Sequence, residues 1–281
     1  MSGNGDEVLL PGGYTNAGLV SRVGDTVRRP MRPSSPAVHA LLHHLERVGF
    51  DGAPRVLGVD ERGREVLSYI EGEAAIAPHQ PWALTDEALI SVAELLRRYH
   101  DAAASFDPSD RRWHRPVPAA FRDGLMCHND PNLDNVVFTQ GRAVALIDFD
   151  LAAPGSAAWD VACGGRLWAP LRDQVDVAPV LRGRGADRLR LFLDAYGMPQ
   201  RDRPRVVDAL LHAHDWCYDI VSAAVNRGHE TFARMWREGG RGRAVRSHRW
   251  IAAHEPELRA AIGTSSQSGR STAGVPCPPL P

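Results

Sequence analysis

Residues 127–138 read CHNDPNLDNVVF: one His, two Asp and three Asn crowd together, and the chain then turns abruptly apolar at Val136, Val137 and Phe138. The following stretch, AVALIDFD, is a second apolar run that ends on Asp148, and Gln140-Gly141 between the runs supplies turn chemistry. The pair therefore predicts a β-hairpin entered through a polar loop. A hairpin returns on itself, so Asp148 comes back beside Asn135. Asp130, Asn135 and Asp148 are then expected to converge at one end of it. Two hard oxygen donors and a further carboxylate suit Mg²⁺ on a polyphosphate, because Mg²⁺ keeps several waters and takes only one or two protein oxygens. The remaining carboxylate is free to orient a hydroxyl.

The flanking sequence indicates what carries this hairpin. LVSRV and TVRRP around Gly24-Asp25 predict one hairpin, and RVLGVD and EVLSYI around ERG predict another. Between them Ser35 is placed to cap a helix with Pro36 at its first position, and Val38, Leu41, Leu42, Leu45 and Val48 form its apolar stripe up to Gly49. After a linker the pattern becomes helical. Thr85 caps a helix with Leu89, Val92, Leu95, Leu96 and Tyr99 on one face, and helical patterns fill 157–168, 187–197 and 203–262. The expected organisation is a loose segment 1–7, a small antiparallel-sheet lobe over 8–72 with one helix, a linker over 73–84, a mostly helical lobe over 85–262 and a polar, Pro-rich tail over 263–281. The fold class is α+β.

At 281 residues the chain can bury a sizeable core, and a net charge of −1 gives no sign of a nucleic-acid or membrane partner. No apolar run approaches the ~18 residues of a membrane span. The four cysteines show no CxxC pair, which suits a reducing compartment and argues against zinc or a disulfide scaffold. No signal peptide is evident, so a cytoplasmic location is expected. There is no lysine: all 33 basic residues are Arg. Any task here that needs a fixed cation must use arginine.

HNDPNLDN, LIDFD, WDVA (159–162) and LLRRYHDAA (95–103), in this order and spacing, resemble the aminoglycoside phosphotransferase family. These are small-molecule kinases with a bilobal, protein-kinase-like fold, and the resemblance spans residues 8–262. It implies a nucleotide, ATP or GTP, with Mg²⁺. Asp130 would orient the acceptor hydroxyl, Asn135 and Asp148 would hold the metal, His128 would brace the loop, and Asp160 would tether it. A phosphate-covering turn would use Gly12 and Gly13, and a hinge to adenine would use Ser68, Tyr69 and Ile70.

The third strand of such a fold carries a cation for the phosphates. Alternation with Thr26 facing the nucleotide and Val27 facing the core points to Arg28. Helix 36–48 has no Glu before Glu46 to pair with that cation, and His39 stands at about the right turn. Asp215 and Asp219, four apart on a predicted helix, are candidates for a cationic acceptor of the aminoglycoside or amino-alcohol kind. The expected function is ATP-dependent phosphorylation of a small-molecule hydroxyl, with antibiotic resistance among the roles it would serve. A nucleotide-binding pseudokinase or immunity-type binding protein is the alternative, given Arg in place of Lys and the missing helix Glu. A kinase for protein substrates is disfavoured because no activation segment separates Asp150 from Asp160. Oligomeric state is left open.

Overall fold

A computed structural model describes residues 7–10 and 18–263. Gly12, Gly13, the first six residues and the tail from 264 lie outside the described residues.

The N-terminal part is a five-stranded antiparallel sheet of β1 (Val8–Leu9), β2 (Ser21–Val23), β3 (Thr26–Pro30), β4 (Val56–Val59) and β5 (Arg64–Ser68), in the order β1-β2-β3-β5-β4. The Gly24-Asp25 turn pairs Val23 with Thr26, and Gly24 has the positive φ of +58° that a tight hairpin requires. Helix α1 (Ser35–Arg47) packs beside it and buries Val38, Leu41, Leu42 and Leu45. Ser34, rather than Ser35, occupies the cap position; the Ser35 hydroxyl instead accepts a hydrogen bond from Arg32 N–H at 2.9 Å.

The C-terminal part is built on α2 (Asp86–Ala103). Thr85 caps it by accepting from Ala88 N–H at 3.1 Å, as its position predicts. Its Leu89, Val92, Leu96 and Tyr99 are completely buried. Each such side chain contributes roughly 1.5–3 kcal/mol through removal from water, so α2 anchors the core.

Two small antiparallel sheets hold the polar loop: β7 (Leu125–Cys127) pairs with β10 (Ala153–Gly155), and β8 (Val136–Thr139) lies between β6 (Glu73–Ala74) and β9 (Arg142–Leu146). Helices α3 (Ala157–Trp168), α4 (Gly185–Tyr196), α5 (Arg203–Asn226), α6 (Glu230–Met235) and α7 (Arg241–Gly263) complete the molecule. α3 packs on α5, α5 on α7 and α2 on α4. The predicted helical stretch 203–262 is thus three helices, broken by Gly228 (φ +79°) and Gly239 (φ +103°). The architecture is bilobal: an antiparallel-sheet part with one helix, and a helical part. Among the described residues no helix is long and apolar enough to cross a membrane.

Candidate active site

The β8–β9 hairpin does what its sequence predicts. Val136 pairs with Leu146, and Ile147 N–H donates to Asn135 O at 2.9 Å, which brings Asp148 back beside Asn135. Asn135 Nδ2 donates to both the backbone oxygen and Oδ2 of Asp130, each at 3.0 Å. With its amide nitrogen committed to Asp130, the Asn135 oxygen is left as the free donor atom for a cation. Asp148 sits in the left-handed region (φ 60°, ψ 65°). That conformation is tolerated by Asp more readily than by most residues and is a form of strain that tends to mark functional positions.

The loop before Asn135 is fixed from behind. Asp160, fully buried on α3, accepts hydrogen bonds from the backbone N–H groups of His128 and Asn129, both at 2.7 Å, and lies 2.9 Å from His100 Nε2. A carboxylate can satisfy three donors where a neutral amide cannot. His128 is also fully buried, and its tautomer follows from its partners: Nδ1 accepts from Asp130 N–H at 3.3 Å, so Nε2–H donates to Ile147 O at 3.0 Å. One ring thereby links the loop that carries Asp130 to the strand end that carries Asp148. Burial, and then the neighbouring carboxylates of Asp148 and Asp134, push the Asp130 carboxyl up to about 7.

The cation of the cleft is Arg29, not Arg28. β3 turns Val27 and Arg29 toward the cavity and Thr26 and Arg28 away from it; Val27 and Arg29 line the cavity and Arg28 does not. An apolar base-sized pocket needs an apolar wall, so Val27 belongs on the cleft face and the cation follows two residues later on that face. Arg29 is 7% exposed. Its Nε meets Glu65 at 2.8 Å, while its two terminal nitrogens meet Asp148 and Asp150, each at 2.9 Å. Burial works against its charge, but Asp150, Asp148 and Glu65 outweigh that and hold its proton more firmly.

The carboxylate missing from α1 is supplied by β5. Glu65 stands opposite Arg29 in the sheet register, is almost completely buried, and lies 2.6 Å from His39 Nε2. Helix α1 therefore contributes a histidine that reaches the same carboxylate. Asp150 pairs with Arg32 at 2.7 Å as well as with Arg29, and burial, then Asp148, raises its carboxyl. Sequence reasoning does not single out Glu65, and it leaves Asp150 open between supporting the site and facing solvent. The visible signal was Glu65 itself, an acid set directly before the apolar pair of a central strand.

Two cavities meet at the loop. One, about 200 Å³, is walled by Val27, Leu67, Ser68, Tyr69, Ile70 and Ile147, with Arg29, Asn135 and Asp148 at its polar end. Of the three residues expected at the hinge, Ser68 and Tyr69 N–H already donate to Arg55 O and Asp25 O, which leaves the Ile70 amide without a backbone partner among the described residues. The other, about 610 Å³, lies on the far side of Asn132 and Asp134, between residues 75–84 and the segment after α3. Asn132 Oδ1, in its wall, is buried without a protein partner.

Asp215 and Asp219 line neither cavity. Both are exposed on α5, where Asp215 meets His248 at 2.8 Å and Asp219 meets Arg115 at 3.2 Å. Their i,i+4 spacing gives a shared face, but that face points out of the cleft.

A profile of the phosphotransferase enzyme family matches residues 110–206, the stretch that holds the polar loop, the hairpin and α3. Over 269 residues the chain is 36% identical to a trifolitoxin immunity protein of Rhizobium leguminosarum bv. trifolii, across 92% of this chain and 99% of that protein. The fold superposes on a choline/ethanolamine kinase family protein of Mesorhizobium loti with a TM-score of 0.64 at 19% identity, over 93% of this chain and 94% of that one. It also superposes on the ADP-bound aminoglycoside phosphotransferase APH(2'')-Ib with a TM-score of 0.55 at 14% identity, over 92% and 95% of the two chains.

Proposed function

Because the chain belongs to the phosphotransferase enzyme family, we propose that it is an ATP-dependent O-phosphotransferase that moves the terminal phosphoryl group of a nucleotide to a hydroxyl of a small molecule. The observation that carries this reading is the meeting of two cavities at Leu10, Ile76 and Asp134, beside Asn135 and Asp148 in the smaller one and Asp130, which Asn135 holds by a hydrogen bond. The apolar 200 Å³ cavity suits a base, and the 610 Å³ cavity suits an acceptor.

Each residue then has a separable task. The ionised Asp130 carboxylate accepts a hydrogen bond from the acceptor hydroxyl, aims it and takes its proton late. The Arg29 fork, now spread over three carboxylates, turns toward phosphate oxygens, for which its planar geometry is well suited. Glu65 and His39 hold that fork in place from the sheet side. Asp160 and His128 keep the loop from shifting. The oxygen of Asn135 and the carboxylate of Asp148 border one cavity and are hard donors of the kind Mg²⁺ requires, so these residues would hold it. When bound, Mg²⁺ neutralises charge on the phosphate chain.

The likeness to an immunity protein favours a setting in which the acceptor is a small toxin that the chain inactivates. It also keeps a second reading in play, in which the same cleft binds without transfer. Calorimetry with ATP, with and without Mg²⁺, followed by a screen of hydroxyl acceptors for ATP consumption, separates the two. Magnesium-dependent binding with turnover supports transfer, magnesium-dependent binding without turnover supports the binding-only reading, and no binding at millimolar ATP removes both.

A further inference from the structure

The acceptor side of the cleft is cationic. Arg166 of α3, Arg172 just after it and Arg243 of α7 line one small cavity of about 60 Å³, together with His214, Tyr218 and Ser247. Arg166 is 7% exposed, and its buried Nε has no hydrogen-bond partner. None of the three arginines pairs with a carboxylate among the described residues; Arg172 is half-buried and Arg243 exposed, but Arg166 is buried, and the other three buried arginines there all have an acid: Arg29 with Glu65, Arg188 with Asp86 and Arg203 with Asp194. A buried guanidinium without a counter-ion is costly to keep.

The titration of the neighbours reports the same field. Burial and then the Arg166 charge hold the Arg172 guanidinium below its usual range, and the same two causes bring His214 down to about 4. The one acid lining this cavity, Asp176, is already neutralised by two hydrogen bonds from Arg246, at 2.9 and 2.7 Å.

The site is continuous with the proposed acceptor cavity. Arg172, Leu167 and Asp176 border both the small cavity and the 610 Å³ acceptor cavity. Arg234, exposed and without an ion pair among the described residues, borders the large cavity too.

We propose that Arg166, Arg172 and Arg243 form an oxyanion-binding subsite that receives a carboxylate or phosphate group of the acceptor while its hydroxyl faces Asp130. The word acceptor rests on the phosphotransfer reading above; the anion site itself does not. This substrate class is opposite in charge to the cationic acceptor that Asp215 and Asp219 suggested from sequence. Fork-shaped guanidinium donors favour planar or tetrahedral oxyanions over a chloride ion.

The probe is inorganic phosphate, titrated calorimetrically into the full chain without nucleotide, in parallel with the double variant Arg172→Gln/Arg243→Gln. Both substituted side chains lie outside the core, and melting of each protein checks that it is folded. The expected result is millimolar phosphate binding to the parent chain and a loss of at least about tenfold in the variant. Magnesium-ATP binding should stay within about twofold in the variant, and saturating ATP should not displace the phosphate. Phosphate affinity unchanged in the variant, displacement of phosphate by ATP, or no phosphate binding to the parent chain overturns the subsite. Failure of ATP binding with an arginine-dependent phosphate isotherm instead overturns phosphotransfer and leaves the subsite standing. In the acceptor screen, hydroxy acids and sugar phosphates should turn over and amino alcohols should not. An amino alcohol phosphorylated equally well by the parent chain and the double variant also overturns the proposal.

Discussion

Arg29 Nη1 lies 2.9 Å from Asp148 Oδ1, across 119 residues of sequence and the mouth of the cleft. The same guanidinium holds buried Glu65 and Asp150, so one side chain ties the sheet to the end of the β8–β9 hairpin. Removing it strands Glu65 with only His39. Arg29→Met should therefore cost about 3–5 kcal/mol of stability, the usual penalty for breaking a buried pair. Arg29→Lys should restore part of that but not the ATP affinity, because an ammonium cannot present a fork. Urea unfolding and ATP calorimetry check both; a methionine variant as stable as the parent chain would show the network to be dispensable.

Asp148→Ala and Asp130→Ala should separate two tasks. The first removes the carboxylate proposed to hold the metal and should abolish the dependence of ATP binding on Mg²⁺. The second should leave that dependence intact. Equal loss of nucleotide binding in two folded variants would mean that the roles are misassigned.

Asp130→Asn should lower kcat by about a hundredfold or more with KM for ATP within a few-fold, since general-base assistance is worth on the order of 10²–10⁴ in rate. Asn keeps the shape and can still accept a hydrogen bond, but it cannot take the proton. Single-turnover transfer at the parent rate would exclude Asp130 as the catalytic residue.

The same substitution should stabilise the free protein in a pH-dependent way. The Asp130 carboxyl is raised to about 7 from an ordinary 3.8, with burial as the main cause. The folded state therefore binds the proton more tightly, and the stability linked to that proton is lost as pH rises from about 4 through 7. Asp130→Asn escapes this loss. The full shift corresponds to about 4 kcal/mol at 1.36 kcal/mol per pH unit, and partial solvent access cuts it to about 1–2. The melting midpoint of the variant minus that of the parent chain should be larger at pH 8 than at pH 5, without nucleotide or metal. An equal difference at the two pH values would contradict the raised carboxyl.

Asp160→Asn should unfasten the loop. An amide offers one acceptor oxygen where the carboxylate now serves His128 N–H, Asn129 N–H and His100. Its –NH₂ group would face a backbone donor, at a cost of about 1–3 kcal/mol for the group left unpaired. Denaturation should show that loss, and turnover should fall while ATP affinity changes little. A variant with unchanged stability would mean that the loop is held by something else.

Much of this was written locally. The Gln140-Gly141 turn and the apolar alternation around it set the register that returns Asp148 to Asn135. Thr85, the stripe on α2 and the Gly24-Asp25 hairpin are likewise short-range consequences of capping, periodicity and turn chemistry. The order and spacing of HNDPNLDN, LIDFD and WDVA were sufficient to indicate the kinase-like architecture.

What the sequence left open is what long-range packing decides. Alternation separates Arg28 from Arg29, but only the position of the other lobe shows which face of β3 meets the cleft. Helical spacing puts Asp215 and Asp219 on one side of α5, yet the neighbours of α5 turn that side outward, to His248 and Arg115. Glu65, Asp148 and Asp150 become partners of Arg29, and Arg166, Arg172 and Arg243 become neighbours, only when distant elements are brought together. A side chain's charge is a property of its residue; whether that charge is neutralised depends on everything folded against it.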